Sequence, residues 1–315
     1  MTTYSNTPAL RPSIRGSATI LALMITGVVI TVGIGFNWIV KEHLKAADGM
    51  KRKSEAMVKA VSAYDTLIYG ILAGKPAPKE IVLNTAEDLL GVKSIPLNGD
   101  GISVGGDIEL KVQDSNGMIS LGGYNIAALQ RLLRNAGAGE GGTAIIIDSY
   151  LDWIGKGNLS RINGAKQAYY TAEGKPYTAR TYPMQYKEEF SFVRGMDSEL
   201  YKKISPCLTL LPTTGFNPNT ASDDVLMAYL NISRDSARRL QTFISQTPVS
   251  SNSTLLNIVN NSIGGEGEGM DFFPSKFLEI TIKAGKPEPV YSLKVGIDTR
   301  SNPTYPYSVI YWQNG

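Results

Sequence analysis

Three residues, Arg15, Gly16 and Ser17, form the junction with the clearest chemical meaning, because an uncharged apolar run follows them as far as Val40. A secretory signal carries its small-residue cleavage site after its apolar core, whereas here the small residues stand before it. This order predicts a processing site before the apolar segment, so that the segment stays with the chain after the leader is removed. The alternative is a plain signal anchor preceded by a chance Arg-Gly pair.

The types and spacing of the other residues give little support for a catalytic function. The one histidine, His43, lies at the end of the apolar run, so a histidine-based nucleophilic triad cannot be assembled in the rest of the chain. The one cysteine, Cys207, cannot form a disulfide within this sequence, and its apolar neighbours predict a buried small hydrophobe. The adjacent carboxylates Asp223 and Asp224 are typical of a helix start. We therefore expect a protein that is not an enzyme.

The run from Ser17 to Val40 predicts a membrane-spanning helix. At about 1.5 Å per residue it reaches about 36 Å, which exceeds the ~30 Å hydrocarbon layer. Arg11 and Arg15 lie on its leader side and the far side carries mixed charge, so the positive-inside bias places the leader in the cytoplasm and the rest of the chain outside. The net charge of +3 over 315 residues is too small to predict a nucleic-acid surface.

A helical pattern continues beyond the membrane segment. Apolar residues recur at intervals of three and four, namely Met57, Val61, Tyr64, Ile68 and Ile71. Charged residues occupy the other faces, so the pattern predicts an amphipathic continuation of the same helix. The glycine and prolines at 74–78 predict that this helix ends near residue 73.

Alternating apolar residues predict strands on both sides of a helical block. One strand is predicted at 108–112, and the turn signal at 115–117 predicts a hairpin with 118–121. The other predicted strands are 278–282, 291–297 and 305–311. The predicted helices are 126–135, 144–154, 198–204, 222–230, 234–245 and 255–261. The order predicts an α+β fold with an inserted helical block, in which strands paired across the insertion bury Leu278, Ile280 and Ile282 against the first helix.

Several segments resemble one protein family. In chain order they read QDSNGMISL, LDWI followed by GAKQAYY, FVRGMDSELYKKISPCLTLLP and FNPNTASDDVLMAYL. With the prepilin-like start, they resemble the type II secretion minor pseudopilin K family. The resemblance implies a pilin-like fold, with a long N-terminal transmembrane helix packed on an antiparallel sheet that is interrupted by a large inserted all-α domain. It implies a leader at 1–16, a transmembrane segment at 17–40, pilin-like parts at 41–123 and 271–315, and an inserted domain at 124–270.

The same resemblance implies a function at the tip of a periplasmic pseudopilus, where the protein helps initiate or cap the filament for export across the outer membrane. Implied partners are the I- and J-type minor pseudopilins, the pseudopilus, the prepilin peptidase and the bacterial inner membrane, with most of this single-pass chain in the periplasm. The peptidase would cleave after Gly16, with methylation of the new amino terminus at Ser17. Leu21 would be the fifth mature residue, where most pilin-like subunits carry a glutamate that pairs with the next amino terminus. This replacement predicts a tip position.

Family members also bind calcium, a cation that needs several oxygen ligands. The candidate ligands in this chain are Asp148, Asp152, Asp224, Glu266, Glu268 and Asp271. Lys156 and Lys166, however, stand where the family pattern carries acidic residues. We therefore expect at least one of the family's calcium sites to be missing.

Two alternatives remain open. Residues 217–240 resemble a helix-hairpin-helix unit of membrane-anchored DNA-uptake receptors, with a basic cluster at Arg234, Arg238 and Arg239. The hairpin at 230–233 lacks the glycine that exposes backbone N–H groups to phosphate, and the acidic pair at 223–224 would repel phosphate. We therefore predict that this unit serves packing and binds no nucleic acid. The other alternative is a type IV pilus minor pilin of similar build.

Overall fold

The computed structural model describes residues 17–83, 90–122, 125–259, 269–286, 288–300 and 304–315. The predicted leader, with Gly16, lies outside these residues, as do Glu266 and Glu268. The chain divides into two compact units, Met1–Glu55 and Ala56–Gly315.

The elements of the described residues are as follows. The α-helices are α1 (Ser17–Ala73), α2 (Ile126–Asn135), α3 (Glu140–Ile154), α4 (Gln167–Ala172), α5 (Ser198–Ile204), α6 (Asp223–Leu230), α7 (Arg234–Gln246) and α8 (Asn252–Ile258). The strands are β1 (Lys75–Pro76), β2 (Glu80–Val82), β3 (Ser94–Pro96), β4 (Asn98–Val104), β5 (Ile108–Asp114), β6 (Ile119–Ser120), β7 (Leu208–Thr209), β8 (Phe277–Ala284), β9 (Tyr291–Asp298) and β10 (Ser308–Asn314).

The first unit contains the apolar part of α1. Residues 18–55 are all exposed, and within the described residues α1 is the helix that is long and apolar enough to cross a membrane. Thr26 and Thr31 donate their hydroxyl protons to carbonyls one turn back, at 2.8 Å each. Neither hydroxyl therefore needs a hydrogen-bond partner outside the helix. Polar groups that are satisfied within their own helix are compatible with a lipid environment.

In the second unit, the last part of α1 buries one face against a sheet. The buried residues of that face are Ala56, Ala60, Ala63, Tyr64, Leu67, Ile68 and Ile71. The prediction that Met57 lies on this face is wrong, because Met57 is 45% exposed. The first turns of this face carry Ala56, Ala60 and Ala63. Alanine is less hydrophobic than methionine, so a search for large apolar residues misses it, but its small side chain allows the helix to pack closer to the sheet. As predicted, the helix ends at Ala73.

The central sheet has the order β10-β9-β8-β5-β4, with antiparallel neighbours throughout. Strands β5 and β8 pair across the insertion, with Val112 opposite Ile280, so this predicted pairing is confirmed. Leu278, Ile280 and Ile282 are buried in the same core as the α1 face. Burial of each such side chain contributes about 1.5–3 kcal/mol.

The predicted hairpin after β5 is wrong. Ser115–Gly117 forms a 3₁₀ turn, and β6 pairs in parallel with β7 rather than returning along β5. The reason lies in Asp114, whose side chain accepts a hydrogen bond from the Asn116 N–H and caps the turn. The chain therefore leaves the sheet at this point and enters the helical block.

The helical block has a core of its own, whose largest fully buried side chains include Tyr150, Tyr170, Phe190 and Phe216. Helices α2 and α5 have the predicted bounds, whereas α3 and α8 begin earlier than predicted, at Glu140 and Asn252. Helix α4 was not predicted. The N-cap of α5 is Asp197, whose side chain accepts a hydrogen bond from Leu200 N.

Candidate functional site: a buried polar junction

The motifs at 113–121 and 216–221 come together around Asp114, at the end of β5. Asp114 is fully buried. Its Oδ1 accepts hydrogen bonds from the backbone N–H groups of Ser275 at 2.9 Å and Asn116 at 3.1 Å. Its Oδ2 accepts from the Thr220 hydroxyl at 2.9 Å and from Asn217 Nδ2 at 3.3 Å. One carboxylate thus joins three chain segments that are distant in sequence.

The electrostatics of Asp114 reflect two opposing effects. Burial raises the pKa of the carboxyl group, and the hydrogen bonds from Ser275, Asn116 and Thr220 act in the opposite direction. A buried carboxylate is tolerated only where donors replace its lost hydration. All its described contacts are such donors, so this group is suited to holding the fold together and not to exchanging protons with a substrate.

Two asparagines extend the junction into the helical block. The side-chain oxygen of Asn116 accepts from Thr214 N at 2.9 Å and from Gly215 N at 3.3 Å. Asn219 makes two bonds to Val249, accepting from its N–H at 2.7 Å and donating to its carbonyl at 2.9 Å. Val249 lies between α7 and α8, so the network reaches from the sheet to the last helices of the block.

Glycine is required where two backbones of the junction approach each other. A Cβ at Gly117 would lie 2.5 Å from the Thr220 carbonyl oxygen, and a Cβ at Gly215 would lie 2.7 Å from the Gly269 carbonyl oxygen. Real Cβ atoms do not come this close to backbone oxygens. The Asn-Gly pair of the first motif is therefore explained by packing against Thr220 rather than by a hairpin turn.

A half-buried charge, that of Lys187, lies between the helical block and the sheet. Lys187 donates from Nζ to the carbonyl of Ser205 at 2.9 Å. Burial lowers the pKa of Lys187 to about 8, while the nearby Glu279 opposes this shift and Lys294 adds to it. Glu279 itself accepts from Lys294 Nζ at 3.1 Å and from the Tyr311 hydroxyl at 2.6 Å. Sequence reasoning did not find this cluster, whose members are far apart in the chain.

The structure does not assemble the predicted calcium ligands into one site. Within the described residues, no three carboxylate, histidine or cysteine side chains converge as a metal site. Asp224 forms an ion pair with Arg234 at 3.6 Å, and Asp271 accepts from Phe273 N at 3.1 Å.

Asp148 and Asp152 lie one turn apart near the end of α3, and backbone donors already occupy them. Asp148 accepts from Asn163 N at 3.2 Å, and Asp152 accepts from Arg161 N at 3.0 Å. Lys166 Nζ is 2.6 Å from the carbonyl of Gly155, the residue that follows α3. A hard cation needs six to eight oxygen ligands, so the residues at this place do not fit calcium.

Two of the residues predicted to act in processing and assembly, Ser17 and Leu21, lie in α1. Ser17 is the first residue that the structure describes, and it already lies in the helix. Leu21 is 61% exposed within the first unit. Gly16 lies outside the described residues, so the structure provides no geometry for the predicted cleavage site.

The helix-hairpin-helix shape is present at α6 and α7. Asn231 joins the two helices in the left-handed conformation, with φ 52°. The first arginine of the predicted basic cluster, Arg234, is paired with Asp224. The Arg239 guanidinium donates to the Ser236 hydroxyl at 2.9 Å. Two members of this cluster are therefore engaged within the protein.

A protein family matches one of the three segments that meet at the junction. The family described as Type II secretion system (T2SS), protein K matches residues 112–213, which begin beside Asp114. Protein K of Pectobacterium carotovorum subsp. carotovorum is 26% identical over 129 residues, which are 40% of this chain and 39% of that protein. The chain resembles type II secretion system protein K. The resemblance predicted from the motifs is thus confirmed.

Further relatives carry the same name. Protein K of Aeromonas hydrophila is 29% identical over 157 residues, which are 47% of this chain and 44% of that protein. A putative protein K of Escherichia coli K12 is 28% identical over 88 residues, or 28% of this chain and 27% of that protein. The matches thus span less than half the length of these protein K relatives. Protein K is a structural pseudopilin family and not an enzyme family.

The fold is also that of protein K. The crystal structure of the GspK-GspI-GspJ complex from the type 2 secretion system of enterotoxigenic Escherichia coli aligns with a TM-score of 0.55, at 16% identity, over 88% of this chain and 99% of that chain. At this identity the likeness concerns the fold. The predicted pilin-like fold with an inserted helical domain is therefore confirmed.

Proposed function

We propose that this protein is a minor pseudopilin of a type II secretion system, which helps initiate or cap the pseudopilus for protein export across the outer membrane. The observation that carries the proposal is the pilin-like fold with its inserted helical block, which aligns with the GspK-GspI-GspJ crystal structure. The Asp114 junction has a mechanical role in this proposal, because its hydrogen bonds join the helical block to the sheet that packs on α1. We propose that the protein has no catalytic activity.

The proposed location is the bacterial inner membrane, with one membrane pass and most of the chain in the periplasm. The exposed apolar surface of α1 supports this location. The prepilin peptidase would cleave between Gly16 and Ser17, with N-methylation of Ser17. The proposed domain bounds remain those given by the sequence.

The proposed position is the tip of the filament, in contact with I- and J-type minor pseudopilins. Leu21 supports this position, since an unpaired charge at the centre of a bilayer helix costs about 2.5–3.5 kcal/mol. A subunit with no neighbour ahead of it has no partner for a glutamate at this place, so leucine is the favoured residue. The bulk of the inserted helical block would also obstruct the stacking of a further subunit above this one.

Site-specific photocrosslinking in the native host tests the proposal. A photoreactive residue replaces Val58, which is 69% exposed on α1 in the second unit. We expect capture of I- or J-type pseudopilins, because helices pack together in pilin-like filaments. The matched control replaces Ile162, which is 99% exposed in the helical block and should not capture them. Capture of further copies of this chain from Val58 would contradict the tip position.

A further inference from the structure

The segment between α3 and α4 folds back on the end of α3 although it buries little apolar surface. Leu159 and Ile162 are 92% and 99% exposed, so neither stabilises the segment by burial. Apart from Ala165, which is buried in the core of the helical block, the segment is held by polar contacts, and the charges that supply them decide whether a metal ion is needed.

A lysine ammonium holds the point at which this segment leaves α3. Lys166 is 7% exposed, and its Nζ is 2.6 Å from the Gly155 carbonyl oxygen. The last carbonyls of a helix lack intrahelical partners and carry the negative end of the helix dipole, so a cation is stabilised there. Helix α3 has no basic residue in its own last turn. Lys166, which comes from the far end of the segment, supplies this positive charge.

The two carboxylates beside this point are bonded to the segment itself. Asp152 is 3% exposed and accepts from Arg161 N, with the Arg161 guanidinium 4.0 Å from its other oxygen. Asp148 accepts from both the N–H and the side-chain amide of Asn163, at 3.2 and 3.1 Å. A divalent cation would have to displace these donors and would approach positive groups at Arg161.

We infer that the ammonium of Lys166 closes this segment in place of a metal ion, so that residues 155–166 are ordered without calcium. Lys166 stands where the family pattern carries an acidic residue, and this change then does more than remove a calcium ligand. The same side chain removes the need for the cation by binding the helix end directly. This inference does not depend on the proposed function.

Hydrogen exchange of the detergent-solubilised full chain tests the inference at the amides of Arg161 and Asn163, whose N–H groups bind the two carboxylates. We expect the same exchange in EGTA and in about 1 mM calcium, a concentration that loads weak extracellular calcium modules. Lys166→Met should accelerate exchange at both amides by about tenfold in either buffer, because local opening becomes easier. Lys175→Met, a change at an exposed lysine of the same block, should leave exchange unchanged.

The exchange of peptides from α7 reports whether the Lys166→Met protein remains folded. If it does not, the comparison of wild-type exchange in EGTA and in calcium still tests the inference. Slower exchange of the wild-type segment by about tenfold in calcium would overturn the inference, since the metal would then supply the order. Unchanged exchange at Arg161 and Asn163 in a folded Lys166→Met protein would also overturn it.

Discussion

Asp114→Asn should destabilise the protein strongly, although it exchanges only one heavy atom. The amide oxygen can still accept from Ser275 and Asn116, and the Thr220 hydroxyl can rotate to accept from the new NH₂ group. Asn217 Nδ2, however, now lies 3.3 Å from Asp114 Oδ2 and donates to it. In the variant it would face the NH₂ group of the new asparagine, so that two donors would meet. One buried unsatisfied donor costs about 1–3 kcal/mol, and the charge-assisted bonds lose strength as well, so we expect a loss of about 2–4 kcal/mol.

The assay is equilibrium urea unfolding of the mature protein in mild detergent, followed by fluorescence. Trp153 is 3% exposed in the core of the helical block and reports its unfolding. The matched control is Asp100→Asn, the same change at an exposed carboxylate, which should alter the free energy of unfolding by less than about 0.5 kcal/mol. Equal stability of the two variants would refute the reasoning that the junction fixes the block to the sheet.

Three further predictions concern other residues. Gly117→Ala should destabilise the protein by about 1–3 kcal/mol in the same urea assay, because the added Cβ meets the Thr220 carbonyl oxygen. Lys187→Met should raise the free energy of unfolding at neutral pH by about 1–2 kcal/mol, because it removes a charge that burial disfavours. Since the folded pKa of Lys187 is about 8, below the unfolded value, wild-type stability should fall as pH drops from about 10.4 to about 8, and the variant should lack this dependence. Gly16→Leu should block processing, and intact-mass measurement of membrane-extracted protein should show the full-length chain.

Each of these predictions has a matched control. Gly141→Ala, where an added Cβ meets nothing within 4 Å, should not destabilise the protein, and a loss equal to that of Gly117→Ala would contradict the packing argument. Lys283→Met, at an exposed lysine of β8, should keep the wild-type pH dependence. Gly27→Leu, at an open helix position, should be processed normally. A mature chain that begins elsewhere than Ser17 would contradict the assignment of the cleavage site.

The sequence predicted the elements whose signals are local. Helix α1 ends at Ala73 as predicted, because Gly74 and Pro76 interrupt the helical pattern. The pairing of β5 with β8 followed from clear alternation in both segments, although more than 150 residues separate them. Strand β4 was missed because its sequence begins Asn-Gly-Asp-Gly, residues that are uncommon in strands.

The junction could not be predicted, because its contacts are long-range. Ser115-Asn116-Gly117 carries the signal of a hairpin turn, and nothing local shows that Asp114 binds Ser275, which is 161 residues away. The motif segments were recognised as family features without a physical role. Polar residues in an otherwise apolar setting, such as Asn217, were the available sign of a buried network.

The tip position can be tested most directly on isolated pseudopili. Immunogold labelling of the helical block, on filaments assembled in the native host, should place this chain at one end of each filament. Copies distributed along the filament shaft would contradict the account, because a subunit that stacks repeatedly would need a partner for its fifth mature residue and room above its helical block.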